Sequence, residues 1–162
     1  MKRLASLALI ALLSGCGLQP LYSGGGSGAV ATSLTQIEVA PIEGKSGWLM
    51  TNALNDRLSA GQTTPLYRLE VKLKDTISGL GVRGDNSVAR ERRTLRARYQ
   101  LVDLANGSVL LDATAGSDAG VDVVGSEYAT IAAENSALER LSGIVADQIA
   151  SRLALRTRRT AR

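Results

Sequence analysis

The stretch Arg90 to Leu101, R-E-R-R-T-L-R-A-R-Y-Q-L, carries two chemistries that alternate with a period of two. Leu95, Ala97, Tyr99 and Leu101 fall on one side, and Arg90, Arg92, Arg96 and Arg98 on the other. An extended strand sends successive side chains to opposite faces, so this pattern describes a strand of an antiparallel sheet buried on one face only. The rest of the chain must then supply neighbouring strands and an apolar layer for the greasy side, leaving a cationic face for a partner. Arg93 breaks the pattern and points with the aliphatic set.

The remaining segments meet that demand in order. Gln36 to Ile42 alternates, with Ile37 and Val39 inward and Glu38 outward, and reads as a short strand ending near Pro41. From Ser46 to Ala60, Met50, Leu54 and Leu58 recur every four residues, a helical stripe that Gly61 can terminate. Trp48 is either a functional aromatic or a packing residue at the start of that helix, and the packing role is the one expected. Tyr67 to Thr76 returns to period two, with Leu69, Val71 and Leu73 opposite Arg68, Glu70, Lys72 and Lys74. Gly79, Gly81, Gly84 and Asp85-Asn86 are expected to form a loop with Arg83 at its tip.

After the arginine strand, Asn106-Gly107 signals a hairpin. A two-residue loop would put Asp112 on the core face, whereas a three-residue loop, Ala105 to Gly107, pairs Leu101 with Leu111 and Tyr99 with Ala113. The odd loop is therefore expected, with Gly107 in the left-handed position and a fourth strand from about Ser108 to Ala119. Ser126 to Arg156 is a long amphipathic helix, capped by Ser126, with Ile131, Leu138, Leu141, Val145, Ile149 and Leu153 along one face. Residues 157–162 form a basic end, either solvated beside the helix dipole or turned to an anionic partner. The fold class expected is α+β: a two-layer sandwich with a four-stranded, mostly antiparallel sheet and two helices packed on one face.

Composition then narrows the chemistry. The chain of 162 residues is 44% hydrophobic and 21% charged, a balance that suits one globular domain, placed here at residues 35–156. It has no His and a single cysteine, Cys16, which removes His-based triads, the usual zinc sets and any internal disulfide. No pair of acidic residues stands out by spacing, so neither an enzyme nor a metal or cofactor site is expected. With no Phe, one Trp and four Tyr, few platforms exist for stacking bases, and a nucleic-acid partner is disfavoured. The formal charge of +4 is uneven: without Lys2, Arg3 and the five basic residues from Arg152 onward, twelve basic residues face fifteen acidic ones. Five of those twelve lie between Arg90 and Arg98, so clustering is the signal and pI is not.

The first residues read as an address. Met1-Lys2-Arg3, the apolar run Leu4 to Leu13, and Ser14-Gly15 before Cys16 have the layout of an export signal covering residues 1–15. Leu13-Ser14-Gly15-Cys16 resembles a bacterial lipobox, which implies cleavage before Cys16 and its acylation; the plain alternative is a buried thiol beside an ordinary leader. Gly17, a non-acidic second residue, implies passage to the outer membrane, where several acyl chains would hold the periplasm-facing protein firmly. Ser23 to Ser33, within the stretch 16–34, reads as a Gly/Ser-rich spacer and lacks the Lys-Ser/Thr pair of a phosphate loop.

Beyond the lipobox, Gly15-Cys16-Gly17-Leu18-Gln19-Pro20-Leu21-Tyr22, then Arg93-Thr94-Leu95 through Tyr99-Gln100-Leu101-Val102-Asp103, then Tyr128-Ala129 and Ala146-Asp147-Gln148-Ile149 to Leu153 together resemble the LPS-assembly lipoprotein family LptE in its alphaproteobacterial form. The resemblance implies an α/β sandwich that plugs the outer-membrane barrel LptD, binds lipopolysaccharide and assists its delivery to the cell surface. Lipid A phosphates fit the arginine row, since guanidinium forks bind phosphate oxygens in bidentate fashion. Arg90 to Arg98 spans about 27 Å as a strand. The candidate contacts are Arg90, Arg92, Arg96 and Arg98, with Lys72 and Lys74 beside them. Three uses of the row remain open: lipid contact, contact with the barrel wall, and a solvated face paired with Glu70, Glu91 and Asp112. The competing function is a structural periplasmic lipoprotein that docks envelope proteins without binding lipid.

Overall fold

The computed structural model describes residues 28–59, 63–82 and 88–160. The export signal, Cys16, the spacer up to Ser27, Gly61 and the Arg83 to Asn86 tip lie outside the described residues. In chain order the elements are α1 (Ala29–Thr35), β1 (Ile37–Val39), α2 (Gly44–Leu58), β2 (Tyr67–Val82), β3 (Val88–Asp103), β4 (Val109–Asp122) and α3 (Glu127–Thr160). One sheet has the order β1-β2-β3-β4; β1 runs parallel to β2, and the other pairs are antiparallel. The parallel pair is reached through α2, the kind of crossover such a pair requires. The helices cover one face of the sheet, giving the two-layer α+β sandwich read from the sequence.

The alternation of β3 translates directly into burial. Leu95, Ala97, Tyr99 and Leu101 are buried, against Leu138, Leu141, Val145, Ile149 and Leu153 of α3 and Met50, Leu54 and Leu58 of α2 in one core. Each fully buried aliphatic side chain contributes roughly 1.5–3 kcal/mol. Helix α3 lies on β4 and β3, and α2 packs beside it, toward β1 and β2. The two helices run in the same direction, tied at one end by Lys45 Nζ donating to Asn135 Oδ1 (2.7 Å) and at the other by an Arg57–Asp147 ion pair. That pair draws the Asp147 carboxyl below its ordinary range and raises Arg57. Ser126 caps α3 as expected, its hydroxyl accepting from the Ala129 N–H at 3.4 Å.

The hairpin register is the one the core face demands: Leu101 opposes Leu111 and Tyr99 opposes Ala113, with Gly107 at φ +72°. The route to it differs from the expected three-residue loop. The register shifts between Leu101 and Val102, Val102 opposes Val109, and the Asp103 N–H donates to the Ser108 carbonyl. An even loop, Leu104 to Gly107, is thus combined with a bulge, and one extra residue restores the parity that the loop alone would break.

Five further expectations are corrected. Strand β2 continues past Thr76 to Val82, so Gly79 and Gly81 stand in a ladder opposite β3 rather than in a loop; ladder pairing uses backbone groups, and missing side chains do not end it. Residues 29–34, expected to be linker, join Thr35 in α1 and bury Leu34 in the core; seven residues are too few to show a helical period. Trp48 is 64% exposed, because α2 packs its first turn through Gly47, where a Cβ would collide with the Ile42 carbonyl. Ile131 is 46% exposed: toward the start of α3 the inward positions are Glu134 and Thr130, whose hydroxyl donates to the Ser126 carbonyl. At the other end α3 extends to Thr160, four residues past Arg156.

Candidate functional site

The face of the sheet turned away from the helices carries the even-numbered residues of all three long strands. Register fixes their neighbours: Lys72 opposes Arg98, Lys74 opposes Arg96, Ser78 opposes Arg92 and Leu80 opposes Arg90. On the far side of β3, Arg98 opposes Thr114, Arg96 opposes Gly116, Arg92 opposes Gly120 and Arg90 opposes Asp122. Strand β4 therefore lays Asp112, Asp118 and Asp122 along the arginine row, separated by Thr and Gly. All six candidate cations are exposed on this face.

Three of them already have acids. Arg98 grips Asp112 through both oxygens (Nε to Oδ1 3.1 Å, Nη2 to Oδ2 2.8 Å), and Gln100 Nε2 donates to the same Oδ2 at 2.8 Å. These donors, Arg98 first, hold the Asp112 carboxyl down to about 2. Arg90 reaches Asp122 at 3.2 Å and Arg92 reaches Asp118 at 3.7 Å. Nearer β1, Arg68 pairs with Glu38 at 2.7 Å. The acids expected to solvate the row contribute little: Glu70 makes no ion pair among the described residues, and Glu91 lies on the opposite face. Asp118 and Asp122, which do pair, were legible as period-two acids on β4 but were not singled out from the sequence.

Arg96, Lys72 and Lys74 make no ion pair among the described residues. Arg96 lies across Gly116, so close that a Cβ there would meet its Cδ at 2.5 Å. Lys74 and Arg96 are direct cross-strand partners, and like charges set opposite one another are destabilising. Lys72 lies beside a hollow of about 110 Å³ bounded also by Glu70, Arg98 and Gln100. The centre of the face thus holds three cations with no ion pair among the described residues, flanked by arginines that are paired with surface aspartates. Guanidinium and ammonium groups are the side chains chemically suited to phosphate oxygens, through charge-assisted hydrogen bonds. Among the described residues no cluster of potential metal ligands occurs, and no helix is long and apolar enough to cross a membrane.

Arg93 does something different. Turned under the helices, it forms a bidentate pair with Asp75 (2.9 and 2.6 Å) and donates from Nη1 to the Glu134 carbonyl of α3 at 2.9 Å. It fastens sheet to helix and belongs to the core boundary.

The sequence model of the lipopolysaccharide-assembly family LptE matches residues 34–153, the segment that forms both layers. The chain belongs to the LptE family. A lipoprotein from Caulobacter crescentus CB15 has a similar structure, with TM-score 0.67 and 27% identity over 79% of this chain and 94% of that one. The fold is shared by rare lipoprotein B from Shewanella oneidensis (TM-score 0.59, 12% identity, 78% and 98% covered) and by a minor lipoprotein from Acinetobacter baumannii (0.56, 14%, 74% and 90%). Among curated proteins none matches the chain. Membership makes this, in general terms, a lipopolysaccharide-assembly protein.

Proposed function

We propose that the chain is a non-enzymatic outer-membrane lipoprotein of the lipopolysaccharide translocon, held at the periplasmic side by acyl groups on Cys16. It sits as a plug in an LptD-type β-barrel and offers its open sheet face to lipopolysaccharide. Lys74 and Arg96, with Lys72, make the first contact with lipid A phosphates; Arg90, Arg92 and Arg98 exchange their aspartates for further phosphates or for the barrel wall. The observation that carries this reading is the Lys74–Arg96 pair, two cations set against each other, neither in an ion pair among the described residues. A bound phosphate converts that repulsion into attraction. The test is depletion of the protein followed by measurement of lipopolysaccharide arrival at the cell surface. Loss of arrival, restored by the wild-type chain and only weakly by one carrying Lys74→Ser and Arg96→Ser, supports the proposal; full restoration by that variant contradicts it.

The neutralisation of Arg90, Arg92 and Arg98 by β4 favours a second reading, a structural lipoprotein that docks envelope proteins without binding lipid. Co-purification with a large outer-membrane barrel after mild detergent extraction supports the first reading, and its absence the second.

A further inference from the structure

The two edges of the sheet are finished differently. Along β4, helix α3 supplies substitutes for a missing strand: the Gln148 side chain accepts from the Gly116 N–H (3.2 Å) and donates to its carbonyl (3.5 Å), and Arg152 Nη1 donates to the Thr114 carbonyl (3.0 Å). Along β2, strand β1 pairs only Tyr67 to Leu69, and the Ala40 N–H donating to the Leu69 carbonyl is the last bond of that ladder. The Tyr67 N–H and the Leu69 carbonyl both point to the β1 side, so odd-numbered residues of β2 aim their backbone groups that way. The same parity continues through Val71, Leu73, Asp75 and Ile77, and no described strand pairs with them on that side. Where the chain leaves the edge through Pro41, a groove of about 870 Å³ opens between Val39, Pro41 and Ile42 on one wall and Val71 and Leu73 on the other; its charged lining is mixed, with Lys72 and Arg68 beside Glu38, Glu43 and Glu70.

We propose that the β2 edge from Glu70 to Val82 is a strand-addition site for an extended segment of a partner protein, one that alternates aliphatic with acidic residues. The backbone groups supply the ladder, as in other cases of strand addition. Aliphatic residues of the incoming segment face Val71, Leu73 and the groove; acidic ones, on the opposite face, meet Lys72 and Lys74, which have no ion pair of their own. In the register centred on Leu73, a second copy of this chain is disfavoured. Two-fold pairing centred on Leu73 would set Lys72 against Lys74 twice, and edge lysines deter self-association in this way. The same two residues that disfavour a copy in that register favour an acidic strand. The site lies in the plane of the sheet and depends on backbone groups, so it goes beyond the lipid reading and is tested without lipid.

The experiment uses the full-length protein in detergent and a synthetic peptide of four Val-Glu repeats flanked by serines, read by fluorescence anisotropy and amide hydrogen exchange. Saturating peptide is expected to slow exchange at Val71, Leu73, Asp75 and Ile77 at least tenfold and to leave Thr114 to Asp118 unchanged. Of two control peptides, N-methylated at every valine or at every glutamate, one is expected to lose binding at least tenfold and the other to bind like the parent, since only alternate amides of a strand face its neighbour. Lys72→Glu with Lys74→Glu is expected to weaken Val-Glu binding about tenfold and to favour a Val-Lys peptide instead. Equal binding of both methylated peptides, protection elsewhere, affinity indifferent to the charge reversal, or a peptide-free dimer with β2 amides already protected would each overturn the proposal.

Discussion

At the scale of single residues, the informative groups are those whose charge conflicts with their surroundings. Glu91 lies on the helix-covered face of β3, where burial and then the neighbouring Glu134 carboxyl push its pKa up from the ordinary 4.5. One of its oxygens, Oε2, is buried without a hydrogen-bond partner. Below the unfolded pKa both states are protonated and the site costs nothing; as pH rises through the raised folded value, the native state loses stability it would otherwise keep. Glu91→Gln is therefore expected to raise the urea midpoint at pH 7 and to leave it unchanged near pH 3. On the open face the sign reverses. Arg98 and Gln100 depress Asp112, so Arg98→Ser is expected to move the Asp112 carboxyl from about 2 upward toward the ordinary carboxylate range, read by carboxyl-carbon NMR titration. Parity alone revealed that Arg93 turns inward. Its partners Asp75 and Glu134 lie on other elements and follow only from register and helix placement, which no local pattern encodes.

At the scale of elements, the long periodic segments were legible and the short or compensated ones were not. The arginine strand, β2 up to Thr76 and the central turns of α3 announced themselves because burial on one face repeats over many residues. Three features of the hairpin, its register, its face and the left-handed Gly107, followed from keeping Asp112 out of the core; the bulge did not, since loop length and bulge compensate each other and leave the same pairing beyond. Trp48 misled because size suggests burial, while the tight contact falls at the neighbouring Gly47. The join between layers is itself testable. Arg93 and Asp75 side chains are 11% and 20% exposed, and removing one partner of a largely buried pair strands the other's charge. Arg93→Ala is expected to destabilise the fold by about 2 kcal/mol in urea denaturation, less than for a fully buried pair because water still reaches Asp75.

At the scale of the whole molecule, the two layers divide labour. The helices and the aliphatic face of the sheet make the core, and the opposite face is left to electrostatics, most of it compensated within the sheet by β4 and one spot left open. Clustering and alternation marked a cationic face and named its six candidate cations; which of them lack an ion pair depended on β4, whose acids lie a hairpin away in sequence and directly beside β3 in space. The most direct test is the affinity of the purified full-length protein for lipopolysaccharide, measured for wild type and for the Lys74→Ser, Arg96→Ser variant at low and high salt. The variant is expected to fold at least as stably, since a like-charge pair is removed, to bind about tenfold or more weakly at low salt, and to show a flatter salt dependence. Equal affinity and equal salt dependence for the two proteins would contradict the assignment of this face to lipopolysaccharide.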